Sequence, residues 1–311
     1  MIEIFSLQKE KIQLIRPNKI GKRLTWIRCV NPDHNSITLL SNLSNIPLAE
    51  FTESIEEEER PKVSQKRYLE IIYRAPFVEQ GDLITLPVYL YITSNLLITV
   101  EKQPNKVISQ LSAQMKVNKK RFLFKRGVGN FVFYVLDAIN DEFLKYIDKI
   151  DETIEVFQKQ RILSDKDTEK IYDSSVSLSY FNQALLANIE VLNTLKKSYY
   201  KTFKKKDRDN FAELYFDALH ILDTERIQRD VLTNLFNLQS IISANRLNKF
   251  MKRLAGLALV VMIPTLITGM FGMNFINIPL KQHPDGFWII TLIMLTIAGL
   301  ITALFVKIDW L

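Results

Sequence analysis

Two uncharged apolar runs near the C-terminus, Leu254 to Phe271 and Phe287 to Val306, restrict the chain to architectures that include a membrane. The runs are 18 and 20 residues long, and at 1.5 Å per helical residue each spans roughly 27 to 30 Å, the thickness of a hydrocarbon core. The 15 residues between them, Gly272 to Gly286, return the chain to the side it came from. A transmembrane hairpin is expected, with residues 1 to 253 and the short tail in one compartment. Lys249, Lys252 and Arg253 precede the first run and Lys307 follows the second, while the connection holds only Lys281. By the positive-inside rule both termini then face the cytoplasm, in a plasma or inner membrane. The segment MIEIFSLQKEKIQLIRP lacks the apolar stretch of a signal peptide. A single cysteine, Cys29, rules out an internal disulfide.

Proline and glycine divide the rest. Seven of the ten prolines fall between residues 17 and 104, and from Asn130 to Ala255 there is neither proline nor glycine. Such a stretch, rich in Leu, Ile, Lys, Glu and Asn, is expected to form long helices. Its turns must come from polar clusters, Ser164 to Asp167 and Lys204 to Asn210, which divide it into three helices. The last of these begins near Asn210 and runs without a breaker into the first apolar span. From Phe211 to Phe271 it covers 61 residues, or roughly 90 Å, and a helix of that length needs packing partners, so oligomerisation is implied. Short β-branched or aromatic segments at Leu24 to Val30, Arg67 to Ala75, Val88 to Ile92 and Asn95 to Glu101 read as strands, with Leu43 to Leu48 and Ser54 to Glu59 as helical or loop inserts. The fold class is α+β. Residues 1–104 form a cytoplasmic α/β domain, 105–206 a cytoplasmic helical region and 207–253 the cytoplasmic part of a stalk helix. Transmembrane helices occupy 254–271 and 287–306, an outer loop 272–286 and a cytoplasmic tail 307–311. The net charge of +7 is spread along the chain apart from the group before the first span, which argues for membrane topology and against nucleic acid.

One helical face runs through Asn248, Met251, Leu254, Ala258, Met262, Thr265 and Gly269 and on to Asn274, at mostly three- and four-residue steps. A lipid-facing stripe should be uniformly apolar, and this one mixes small, flexible and polar residues. A packing seam between helices has the same composition, so that reading stays open beside a pore lining. The stripe ends at Gly272-Met273-Asn274, between Phe271 and Phe275. Taken alone, Gly272 can be a helix cap with Met273 and Asn274 as loop residues. At the end of the first of two C-terminal spans, however, the tripeptide resembles the signature of the CorA family of divalent cation channels. Asn245 to Met251 leading into the membrane, Pro264 within the span, Arg60 to Val63, Tyr134 to Ala138 and the terminal Trp310-Leu311 are similar to that family as well.

The resemblance implies a homopentameric funnel in which five first spans line an axial pore, with no catalytic residues and no cofactor beyond Mg²⁺ as the transported and regulatory ion. Gly272, Met273 and Asn274 would form the selectivity filter at the outer mouth. Mg²⁺ dehydrates reluctantly, so a mouth of neutral oxygens that holds the ion's waters suits it. Asn274 and, deeper, Thr265 would meet the hydrated ion, with Gly269 supplying backbone oxygens. Met251, Leu254 and Met262 form apolar constrictions that gate by dewetting, and Asn248 closes the row at the inner mouth. Regulation in the family runs through acidic residues between subunits. Here Asn237 stands eleven residues before Asn248, where the resemblance leads one to expect Asp, and Glu213 is the remaining candidate. The outer loop FINIPLKQHPDG places Ile276 and Leu280 where Glu is expected, beside Lys281, and the tail offers Lys307 and Asp309 rather than a lysine run. These departures leave a Zn²⁺ transporter of the same fold as an alternative to a channel for Mg²⁺ with Co²⁺ or Ni²⁺ as surrogates. A non-conducting membrane-anchored metal sensor or scaffold is the alternative of another class. His34, His220 and His283 are too scattered for a metal cage, and no phosphate-binding loop is present, so ATP-driven transport is not expected.

Overall fold

The structure is a computed structural model that describes every residue except 57–58, 161–162, 198–199, 274–277, 281, 309 and 311. Asn274, Phe275, Ile276, Lys281 and Asp309 of the sequence reading thus lie outside the described residues. The chain divides into two units, residues 1–234 and 235–311.

The first unit is built on one mixed sheet of seven strands: β1 (Ile2–Gln8), β2 (Lys11–Leu14), β3 (Thr25–Val30), β4 (Lys62–Gln65), β5 (Leu69–Glu79), β6 (Asp82–Ile92) and β7 (Leu96–Glu101). Their spatial order is β2-β1-β3-β7-β6-β5-β4, and only the β3–β7 pair is parallel. Lys9 and Glu10, both at positive φ, join β1 to β2, and Gln80 and Gly81 join β5 to β6 in the same way. Two-residue turns with positive φ match the twist of the strands they connect. Every residue of β3 and of β7 is buried, which requires cover on both faces of the sheet.

On one face lie α1 (His34–Ser44) and α2 (Leu48–Glu56), whose Ile37, Leu40 and Phe51 pack with Ile27, Cys29, Ile98 and Tyr91. Asp33 caps α1 by accepting from the Ser36 N–H at 3.0 Å, and Asn45 ends it in the left-handed conformation. The other face carries α3 (Lys106–Lys116), α5 (Val128–Gln158) and α6 (Asp165–Lys197), with the short α4 (Phe122–Arg126) before α5. Trp26 meets Phe131 of α5 at 5.4 Å, and the Tyr73 hydroxyl donates to Asn140 at 2.7 Å.

Strands β5 and β6 run through Pro76 and Pro87, where the sequence suggested breaks at Ala75 and Val88. The backbone pairing explains the tolerance. Arg74 lies opposite Pro87, and Arg74 directs its N–H and C=O away from β6 to the side-chain amide of Asn188 on α6, at 2.9 and 2.8 Å. Pro87 therefore turns its missing N–H away from β5, beyond the last β6–β7 pair at Val88 and Glu101. Pro76, two residues from Arg74, is oriented the same way. Neither proline interrupts a ladder bond.

The side of the sheet under α3 holds an ion network. Arg28 donates to both Glu101 oxygens at 2.8 and 3.2 Å, to Ser109 Oγ at 2.7 Å and to Glu3 at 3.4 Å. Glu3 also accepts from Ser112 at 2.7 Å and pairs with Lys116 at 2.5 Å, while the Asn105 N–H donates to Glu101 at 2.8 Å. Glu3, Arg28 and Glu101 are all buried. Nothing in the local sequence pattern marks this set, since its members are scattered over more than a hundred positions.

The breaker-free stretch forms α5, α6 and α7 (Lys205–Phe271). Both polar clusters expected as turns are helix starts. Asp167 accepts from the Ser164 N–H at 3.0 Å while its own N–H donates to Ser164 Oγ at 3.3 Å, a reciprocal cap. Asp207 accepts from the Lys204 N–H at 2.8 Å, which starts α7 at Lys205 rather than near Asn210. The Asp207 carboxylate also lies against the first turn of α5. A Cβ on Gly129 would stand 2.3 Å from Asp207 Cγ, so only glycine admits this approach.

The second unit contains the end of α7 and α8 (Gly286–Lys307). Pro264 lies inside α7, where it withholds one donor from the helical ladder without ending it.

Candidate functional site

The most apolar 18-residue windows of α7 and α8 have mean hydropathies of 2.2 and 2.7, and almost none of either window is buried within the chain. That exposure separates them from core helices of a soluble domain, which bury such surface. Aromatic pairs mark both ends of α8. Phe287 packs edge-on against Trp288 at 5.3 Å, and Phe305 stacks on Trp310 at 5.5 Å. Amphipathic rings at both ends of an apolar helix suit the two interfaces of a bilayer.

Within the hairpin, α7 shields a row of residues at helical spacing: Gly256, Leu259, Val260, Ile263, Pro264 and Ile267. The matching shielded row of α8 includes Ile290, Met294, Ile297, Ile301 and Phe305. These rows define the seam between the two helices. Asn248, Met251, Leu254, Ala258, Met262, Thr265 and Gly269 are all exposed, and at about 100° per residue they lie roughly opposite that seam. The stripe is therefore not the surface by which α7 packs on α8, and its apolar members Met251, Leu254 and Met262 are each about half exposed in a single chain.

Thr265 Oγ1 donates to the Val261 carbonyl at 2.8 Å, which commits its proton to the helix and leaves oxygen lone pairs to face outward. An outward acceptor suits a hydrated cation, whose waters present hydrogens. Thr268 Oγ1 donates in turn to Thr265 O at 2.9 Å.

Past Phe271 the chain continues in helical bonding, with Gly272 N–H donating to Thr268 O at 2.9 Å and Met273 N–H to Met270 O at 3.3 Å. Gly272 does not take the left-handed conformation of a capping glycine. Its lack of a side chain matters for space instead, since a Cβ there would stand 3.3 Å from Thr268 O. Just before α8 the chain closes on itself: His283 N–H donates to Leu280 O at 3.1 Å, and Gly286 N–H to His283 O at 3.0 Å. Gly286 lies so close to Leu280 O that an added Cβ would stand 2.3 Å from it. Asp285 N–H donates to His283 Nδ1 at 3.1 Å, so that nitrogen is an acceptor and is taken up by the loop. A cavity of about 580 Å³ lies beneath, lined by Phe271, Gly272, Met273, His283, Phe287 and Ile290 among others.

Glu213 is exposed on the first part of α7. Its charge, with those of Asp141 and Asp217, acts on Asp137 of α5, whose carboxyl is pushed up to about 6, first by burial and then by these neighbours. The pairs 137/141 and 213/217 are each four residues apart on one helix, a same-face signal that is present in the sequence but does not reveal that the two helices meet there. Among the described residues, no three or more His, Cys, Asp or Glu side chains are arranged to hold a metal ion.

Asp137 has a stability consequence. Because its folded-state value lies above the ordinary carboxylate value, the folded protein binds the extra proton between about pH 4 and pH 6, and stability falls as pH rises through that window. Asp137→Asn is expected to raise the melting temperature at neutral pH and to remove this part of the pH slope. A melt series across that range checks it, and an unchanged slope would mean that Asp137 ionises freely.

Residues 21–307 match the profile of the family described as CorA-like Mg²⁺ transporter protein. The chain belongs to this family. It is 32% identical over 294 residues to the cobalt/magnesium transport protein CorA of Methanocaldococcus jannaschii, a match covering 93% of this chain and 92% of that one. The protein of the same name from Thermotoga maritima is 22% identical over 306 residues, covering 96% and 87%. The complete structure of the M. jannaschii CorA magnesium transporter superposes with a TM-score of 0.89 at 28% identity, covering 100% of this chain and 99% of that one. The architecture expected from the sequence, an α/β domain followed by long helices and two C-terminal apolar helices, is that of a full-length CorA. The protein is thus a membrane protein of a divalent-cation transport family, and its relatives are named as transport proteins.

Proposed function

We propose that this protein conducts hydrated Mg²⁺, with Co²⁺ or Ni²⁺ as surrogates, down its electrochemical gradient through a pore lined by the α7 stripe of five copies. The observation that carries the reading is the stripe itself: a row of polar, small and flexible residues on the face of α7 turned away from α8, ending at Gly272 and Met273. A packing seam within the hairpin would face α8, so the remaining partners for this face are other copies of α7 or the ion path they enclose. Both termini are placed in the cytoplasm, in accord with Lys249, Lys252, Arg253 and Lys307 at one end of the hairpin. Moving two charges inward across an inside-negative membrane releases about 4.6 kcal/mol per 100 mV, so no other energy source is needed. Asn274 and Thr265 are assigned to the ion's water shell. Glu213, an exposed acid on α7, is assigned to regulatory cation binding between copies.

The test is selectivity-resolved flux in proteoliposomes under an imposed membrane potential. Mg²⁺ uptake that rises with potential and is indifferent to a proton gradient is expected. Proton-stimulated Zn²⁺ flux with negligible Mg²⁺ flux would replace this reading by the zinc alternative. No flux of any divalent ion would favour a sensor or scaffold.

A further inference from the structure

The first unit holds a cavity of about 210 Å³ between α3 and α5, lined by Val107, Leu111 and Gln114 of α3 and by Val135, Ala138 and Glu142 of α5 among others. Each set recurs at three- and four-residue steps and so occupies one face of its helix. The methyl group of Ala138 is too short to close the gap between the two faces.

Two acceptors at this cavity lack donors. Glu142 is only 3% exposed. Its Oε1 accepts from Lys106 Nζ at 2.6 Å, whereas Oε2 has only Lys145 Nζ at 3.8 Å, beyond hydrogen-bonding distance. Gln114 Oε1 is shielded from solvent and has no partner among the described residues. A shielded polar atom without a partner is unfavourable, and folded proteins retain few of them.

Both open groups call for N–H or O–H donors. Water and a hydrated divalent cation offer donors in every direction, but the wall of Val107, Leu111, Val135 and Ala138 accepts none. A primary ammonium on a short alkyl stem matches every part of the lining. Its N–H groups meet Glu142 Oε2 and Gln114 Oε1, its charge lies near Glu142 and the exposed Asp141, and its carbons lie on the apolar wall. Lys145, whose side chain is 64% exposed, can withdraw into water as the ligand enters.

We infer that this cavity binds a small organic ammonium ion. The inference does not rest on which ion the protein conducts.

Calorimetric titration of the full-length protein in detergent with n-butylammonium tests it. Saturable binding of one ligand per chain is expected, with an unfolding midpoint that rises with ligand concentration. Glu142→Gln keeps the shape of the side chain, removes its charge and is expected to weaken binding about tenfold. Gln114→Met weakens it severalfold, and Ala138→Leu fills the cavity and abolishes it, so the proposal stays testable if one variant fails to fold. Glu155→Gln, the same change at an exposed position of α5 outside the cavity, leaves binding unaltered. Tetramethylammonium, which has the charge without N–H donors, and butan-1-ol, which has the stem without the charge, bind far more weakly than n-butylammonium. Absence of saturable binding would leave the cavity to water and overturn the proposal. Equal affinity for either analogue, displacement by Mg²⁺ at matched ionic strength, or an equal loss in Glu155→Gln would overturn it as well.

Discussion

Asn274→Ala abolishes Mg²⁺ uptake by the full chain in proteoliposomes, while reconstituted protein and oligomer count stay at their unsubstituted values. The expectation follows from the chemistry of a reluctant ion. A mouth that keeps Mg²⁺ hydrated must offer acceptors to the hydrogens of its waters, and a carboxamide oxygen does so without adding a charge that would hold the ion too long. Each hydrogen bond to such a charged, polarised partner contributes about 1.5 to 3 kcal/mol, and losing about 1.4 kcal/mol already lowers occupancy about tenfold. In the proposed pentamer, a ring of five such losses leaves no competent mouth. Isotope or fluorescent-dye uptake under a fixed potential is the measurement. Unchanged uptake would return the stripe to a packing role and remove the pore assignment of Thr265 and Gly269 with it.

The second large effect lies in the first unit. Arg28→Met leaves Glu101 about 1% exposed with no guanidinium, and a buried ion pair broken on one side costs about 3 to 5 kcal/mol. Thermal unfolding of the full chain in detergent should show a large drop in midpoint. Arg28→Met combined with Glu101→Leu should recover most of it, because the uncompensated charge is then gone. The single variant should also acquire a pH dependence. Burial already pushes the Glu101 carboxyl up while Arg28 opposes that shift. Without Arg28 its folded value rises further above the unfolded one, so stability falls as pH rises through the interval between them. A single variant as stable as the double would mean that water or Lys116 reaches Glu101, and the network would lose its assigned role.

The parts of this protein that depend on runs of neighbouring residues were legible in the sequence. The length of an apolar run determines whether a helix spans a bilayer, and the absence of Gly and Pro over Asn130 to Ala255 leaves a chain little choice but long helices. The stripe from Asn248 to Gly269 was legible too, because a helix converts spacing directly into a face. Strand limits at Pro76 and Pro87 were not, since whether a proline interrupts a ladder depends on which way its missing N–H points. That direction is set by the register with β6 and by Asn188, 114 positions from Arg74.

The sequence by itself determined the family, the two apolar helices and the grouping of one row of residues on a single face of α7, all of which are periodic or contiguous properties of the chain. Only the tertiary structure decided that this row is turned away from α8, that Glu213 shares a carboxylate cluster with Asp137, and that Arg28 joins Glu3 to Glu101. Each is a meeting of residues distant in sequence, and such meetings are fixed by packing and register rather than by local preference.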